Sequence, residues 1–276
     1  MSPFVEVELV ASRELRRSLR SAKGGILAAL SLGGGAAVSL VFAWFDRVQR
    51  QAIPQGVDLS AIREGFFVRG YGETTGRALV ASPYSLWMML VATLWLSPLL
   101  VALLNFDSIS GEMQHRSVRF WIVRVRRSSY ILGKYLAAWL VVLTVMLGMN
   151  VVVWGVTIAV GNLAPAHVLA WGIRFFAVSI PISAAWCGIA ALVGSQFKTP
   201  MLSLLAICAG FFALWLLRVT AGFTQTEWIS YAYPNAYDRW LLSPNAADVG
   251  VGLLGTGAIA VMTTLAGTIL FQRKDL

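Results

Sequence analysis

The stretch DSISGEMQHRSVRFWIVRVRRSSYILGK, Asp107–Lys134, decides how this chain is read. It is a polar interval of 28 residues between two long apolar runs, and it holds six of the 22 Lys and Arg: Arg116, Arg119, Arg124, Arg126, Arg127 and Lys134. A tract this basic belongs on the face of a membrane, with a span on either side. Composition agrees. A soluble domain carries about a quarter charged residues; this chain carries 13%, with 58% hydrophobic residues and a mean hydropathy of +0.71. Lipid is the solvent that such a composition fits.

Working outward from the tract, the apolar runs have spanning length, where about 20 residues cross a bilayer. Upstream, spans are expected over Gly25–Phe45 and Tyr84–Phe106; downstream, over Tyr135–Val160, Val168–Val193, Met201–Leu217 and Val249–Phe271. Residues 161–167 and 194–200 are short enough to be tight turns. Residues 46–83 read as a polar loop, with a short helix near Leu59–Phe67. Residues 1–24 read as an amphipathic interfacial helix rather than a secretory signal, because the leader is mixed in charge and the apolar run after it exceeds signal length. Leu15 and Leu19 share one face of it, while Arg13, Arg16, Arg17 and Arg20 turn to water or lipid phosphate. Residues 218–248 carry Phe223, Trp228, Tyr231, Tyr233, Tyr237 and Trp240, broken by Pro234 and Pro244. Amphipathic aromatics suit the headgroup region, so short re-entrant-like helices are expected before the sixth span. The fold class is an all-α polytopic membrane protein in a single domain, 1–276.

Basic residues orient it. With the amino terminus inside, segments 1–24, 107–134, 194–200 and 272–276 hold fourteen Lys and Arg, against seven in 46–83, 161–167 and 218–248. Both termini are therefore expected in the cytoplasm. The net charge of +9 is expected to set topology and meet anionic lipid, not nucleic acid, because no recognition module accompanies it.

Catalytic chemistry is not legible. Cys187 and Cys208 lie in apolar runs without ligand spacing, and His115 and His167 stand apart. Gly133-Lys134 lacks the upstream glycine of a phosphate loop, and no HExxH or GxSxG occurs. Glu227, Asp238 and Arg239 cluster too loosely for a lipid-modifying enzyme. Arg174 is the one charge inside a span, and snorkelling to the outer surface accounts for it. Without rows of buried acids or histidines, any transport energy has to come from elsewhere.

The pattern D-x-I-x-G-E at 107–112, the step Arg116-Ser117-Val118, Arg127, and I-L-G-K at 131–134 resemble the type-2 ABC exporter permeases. The six spans, the basic leader and the closing F-Q-R-K-D-L resemble them too. Where many members have Gly-Thr and then Pro, this chain has Arg116-Ser117 and Val125. The resemblance implies that 107–134 carries a cytoplasmic coupling helix docking on a separate ATPase subunit. It implies an exporter of two permease protomers and two ATPase chains in a plasma membrane, the bacterial inner membrane above all. ATP and Mg would be bound by the partner, with no cofactor and no catalytic residue in this chain.

The residues fit that expectation. Val118, Trp121, Ile122 and Val125 fall at i, i+3, i+4 and i+7, one apolar stripe for a partner groove. Glu112 and Arg116 have the spacing of a helical ion pair worth about 0.2–0.5 kcal/mol, and Asp107 or Ser108 could cap the start. Thr144, Asn150 and Thr157 are candidates to line a path at the interface with a second protomer. The alternative is a non-transporting assembly or signalling subunit that recruits a cytosolic protein through the same tract.

Overall fold

A computed structural model describes residues 2–20, 22–52, 59–160, 163–224 and 226–274, and among them it is all helix and turn. The helices are α1 (Pro3–Arg20), α2 (Ala22–Ala52), α3 (Leu59–Tyr71), α4 (Glu73–Val80), α5 (Tyr84–Asn105), α6 (Ser110–Gln114) and α7 (Val118–Ile122). There follow α8 (Arg127–Val160), α9 (Pro165–Gly194), α10 (Pro200–Thr224), α11 (Glu227–Ser230), α12 (Asp238–Leu241) and α13 (Ala246–Gln272), with a 3-10 turn over Pro234–Tyr237. Six of them, within α2, α5, α8, α9, α10 and α13, are long and apolar enough to cross a membrane. The protein is a multi-pass membrane protein.

The helices overrun the hydropathy boundaries, because backbone hydrogen bonding continues past the apolar stretch. Thus α8 starts eight residues before Tyr135 and α10 runs to Thr224. Within 46–83 the short helix expected near Leu59–Phe67 is present as α3, but the segment is more helical than a loop: α2 continues to Ala52 and α4 follows α3, while 53–58 lie outside the described residues. Residues 161–162 of the tight turn also lie outside them.

Helix α9 sits at the centre, with 56% of its apolar window buried, against 17% for α10 and 19% for α2. Trp186 on α9 is fully buried between Phe211 and Tyr233, edge-on to both rings. Of the triple glycine in α2, Gly34 and Gly35 pack against α8 while Gly33 faces open space. A Cβ on Gly35 would stand 2.9 Å from the Met149 carbonyl oxygen of α8, so only glycine allows that approach.

The four segments assigned to one side by their charge meet at one end of the bundle. Arg127 Nη1 donates to the Gln272 and Lys274 carbonyls at 2.8 and 3.1 Å, capping the end of α13. Lys274 Nζ in turn donates to the Ser195 carbonyl at 2.6 Å, at the end of α9. We call this the basic end. At the far end, Asn235 anchors the aromatic segment: its Nδ2 donates to the Leu94 carbonyl at 2.7 Å and its Oδ1 accepts from Trp186 Nε1 at 2.8 Å. Arg174 does reach toward that end, where Nη2 donates to the Leu242 carbonyl at 2.8 Å and the guanidinium stacks over Trp171.

Candidate functional site: a charged hub at the basic end

Residues 107–134 hold two short helices and the start of α8. Short α6 and α7 are separated by a turn in which Arg116 adopts φ 57°, a left-handed conformation unusual for a side chain other than glycine. Ile109, rather than Asp107 or Ser108, holds the N-cap position of α6, without a side-chain bond. Ser108 Oγ donates instead to the Asn105 carbonyl.

The expected Glu112–Arg116 pair does not form, because α6 ends at Gln114 and Arg116 turns out of helical register into solvent. Glu112 points inward. Its Oε1 accepts from Lys134 Nζ at 2.6 Å and lies 3.4 Å from Arg17 Nη1, and its Oε2 accepts from Tyr130 Oη at 2.8 Å. Lys134 Nζ also donates to Glu14 Oε2 at 2.7 Å. Two carboxylates and two cations therefore meet across α1, α6 and α8 with their charges balanced. Lys134 is 1% exposed. A lysine so buried is stable only with its partners in place.

The apolar stripe also faces inward. Val118 and Val125 are buried with Val10, Ile109, Met113, Tyr130, Ile131 and Phe271 in a small core of their own, and Trp121 packs partly against it. Arg13 stacks on Trp121 at 4.7 Å from the ring centre. This corrects the reading of the stripe as a free docking surface: the chain's own α1 and α8 occupy it. The side chain of Ile122 lies outside the described residues. What α7 turns outward is Phe120, 77% exposed, and Val123, 87% exposed, with Arg119 and Arg124.

Helix α1 is docked rather than lying free on a surface. Glu6, Val10 and Glu14 at i, i+4 and i+8 form its buried stripe. Glu6 Oε2 accepts from the Arg126 backbone N–H at 3.1 Å, at the mouth of α8, whose first turn has no acidic residue of its own. That bond, with the Ser129 hydroxyl beside it, holds the Glu6 carboxyl below its ordinary range. The helices touch at Gly133, where a Cβ would stand 2.6 Å from Val10 Cβ. Of the leucine face expected for α1, Leu15 packs on the main core and Leu19 stays exposed.

The hub residues Glu14, Arg17, Tyr130 and Lys134, and Glu6 beside them at the start of α8, were missed as a set. The signal was the acidic–apolar–acidic spacing of Glu6, Val10 and Glu14, which a search for leucine faces passes over.

The three polar candidates on α8 do not share a face. Asn150 is buried and donates to the Met146 carbonyl, and Thr157 shares a 3.0 Å hydrogen bond with Ser85 of α5. Thr144 is exposed and bonded to the Leu140 carbonyl. A cavity of about 540 Å3 lies elsewhere, between α5, α10 and the aromatic segment at the far end, with Trp95, Trp215, Arg218, Tyr233 and Asp238 in its lining. Burial raises the Asp238 carboxyl above its ordinary value. Among the described residues no group of three His, Cys, Asp or Glu could hold a metal.

No protein-family model matches the chain, and no curated protein matches it. Geometry carries the functional reading.

Proposed function

We propose that the chain is the membrane-spanning permease subunit of an ATP-driven ABC exporter, working as a dimer with separate ATPase subunits. The observation that supports this reading is the buried Lys134–Glu112 pair, joined by the partly buried Glu14 and by Arg17 at the exposed rim. It binds the polar tract and α1 to the base of α8 as one rigid unit. A push on the outward face of α7 would then move α8, and with it α2, α5 and α9.

Phe120 and Val123 are the contact for an ATPase groove, replacing the buried stripe in that role. The poorly covered faces of α2 and α10 suit a second protomer, and the path lies along that interface. ATP and Mg bind the partner, and no residue here acts as a catalyst. The amino and carboxyl termini lie in the cytoplasm of a cell whose plasma membrane holds the complex.

Co-expression with ABC ATPases encoded beside this chain tests the proposal. A stable complex that moves a solute across vesicles only with hydrolysable ATP supports it. A complex without nucleotide-dependent movement favours the alternative, a membrane subunit that recruits a cytosolic protein.

A further inference from the structure

A cleft of about 440 Å3 opens at the basic end between the α6–α7 turn and residues 198–199, lined by Met113, Arg116, Val118, Arg119, Lys198 and Thr199 among others. Its charge is one-sided. Among the described residues no carboxylate lines it, and none of Arg116, Arg119 and Lys198 has an ion-pair partner. The hub cannot neutralise them, because its four charges are already paired with one another. Lys274 lies near Lys198, and burial together with that neighbouring charge lowers its pKa below the ordinary lysine range.

Like charges converging on a concave surface repel one another unless an anion sits between them. The turn that brings Arg116 there has the left-handed φ of 57°, a conformation unfavourable for an L residue with a side chain. Met113 and Val118, both buried, contribute apolar side chains to the cleft wall.

We infer that this cleft is a phosphate site, and that the headgroup of an anionic phospholipid fills it. Position selects the lipid. Thr199 immediately precedes α10, and Met113 is the penultimate residue of the stretch Tyr84–Gln114 that begins with α5; both stretches are candidate spans. The cleft is thus held at the depth where spans leave the bilayer and meet headgroup phosphates. Three cations at that depth attract an anionic headgroup by about a factor of five each. The inference stands on the permease chain alone and does not depend on ATPase docking.

The test uses the purified full chain in nanodiscs with equal phosphatidylglycerol and phosphatidylcholine, released into detergent for native mass spectrometry. Wild type is expected to retain phosphatidylglycerol selectively. The triple variant Arg116→Gln/Arg119→Gln/Lys198→Gln should bind it on the order of a hundred-fold more weakly. All three side chains are exposed, so folding should survive, and a thermal melt checks this. Arg124→Gln, equally basic but outside the cleft, should behave as wild type. Inorganic phosphate at millimolar concentration distinguishes the source. If it raises the wild-type melting temperature and not that of the triple variant, with no lipid preference, the site is for a free phosphate. Equal lipid retention by wild type and triple variant with no phosphate effect, or equal losses in Arg124→Gln and the triple variant, overturns the inference.

Discussion

Lys134 Nζ stands 2.6 Å from Glu112 Oε1, although 22 residues separate the two and neither is more than a tenth exposed. Glu14 and Arg17, from the first helix of the chain, complete the neutralisation. The pair joins the two ends of the polar tract and closes it onto α8.

Removing one partner strands the others. Lys134→Ala leaves Glu14 and Glu112 facing each other, with Arg17 as the remaining cation. A loss of about 3–5 kcal/mol is expected, read as a lower melting temperature in detergent. The double variant Glu112→Gln/Lys134→Met should lose less than Lys134→Ala, because fewer unpaired charges remain buried.

Gly133→Ala tests the docking of α1 independently of charge. The new Cβ would meet Val10 Cβ at 2.6 Å and the Val7 carbonyl oxygen at 3.0 Å. Overpacking of this kind costs roughly 1–3 kcal/mol. Trypsin should cut at Arg13, Arg16 or Arg17 faster than in wild type, while the six spans stay intact.

Acid should loosen the same helix. Glu6 is held below the ordinary carboxylate value of 4.5 by the Arg126 N–H. A detached α1 therefore takes up the proton at a higher pH than the docked one. The stabilisation is fully present above pH 4.5 and is lost as pH falls through the lower docked value. Hydrogen exchange of α1 against pH measures this, and Glu6→Gln should abolish that component of the dependence.

Arg116→Gly separates backbone from charge. Glycine tolerates φ 57°, so the variant should be more stable, by up to about 1 kcal/mol, while phosphatidylglycerol retention falls. A melt and lipid mass spectrometry on one sample read both effects.

Phe120→Ser with Val123→Ser removes exposed apolar surface and no packed core. The melting temperature should stay within about 1 °C of wild type, since surface changes fall within about 0.5 kcal/mol. If the proposed coupling is correct, ATPase co-purification should drop. Glu112 and Trp121 would make poorer probes, because losing either disturbs the chain's own packing.

Much of the architecture was legible along the chain. Helix α8 shows why: from Tyr135 to Val160 it carries no charge, and an apolar run of that length has few solutions other than a span. The glycines at 33–35 likewise announced close packing, and Gly35 against Met149 fulfils it. The short helix expected near Leu59–Phe67 runs on as α3 to Tyr71, and α4 after it was harder to read, because both are short and charged and their order draws on contacts such as Phe67 against Trp87.

The hub was illegible for a different reason. Val118, Trp121 and Val125 have the same spacing whether they face a partner or the chain's own core. Periodicity names a face without naming what covers it. Sequence alone determined that the chain is helical, crosses the membrane and gathers its charge in a few polar segments, because hydropathy and length act locally. Tertiary structure alone decided that Glu112 turns to Lys134 rather than Arg116, and that α7 shows Phe120 and Val123 to the outside. Those choices depend on α1 reaching across more than a hundred residues of chain to pack at Gly133, a contact set by the fold as a whole and by no local pattern.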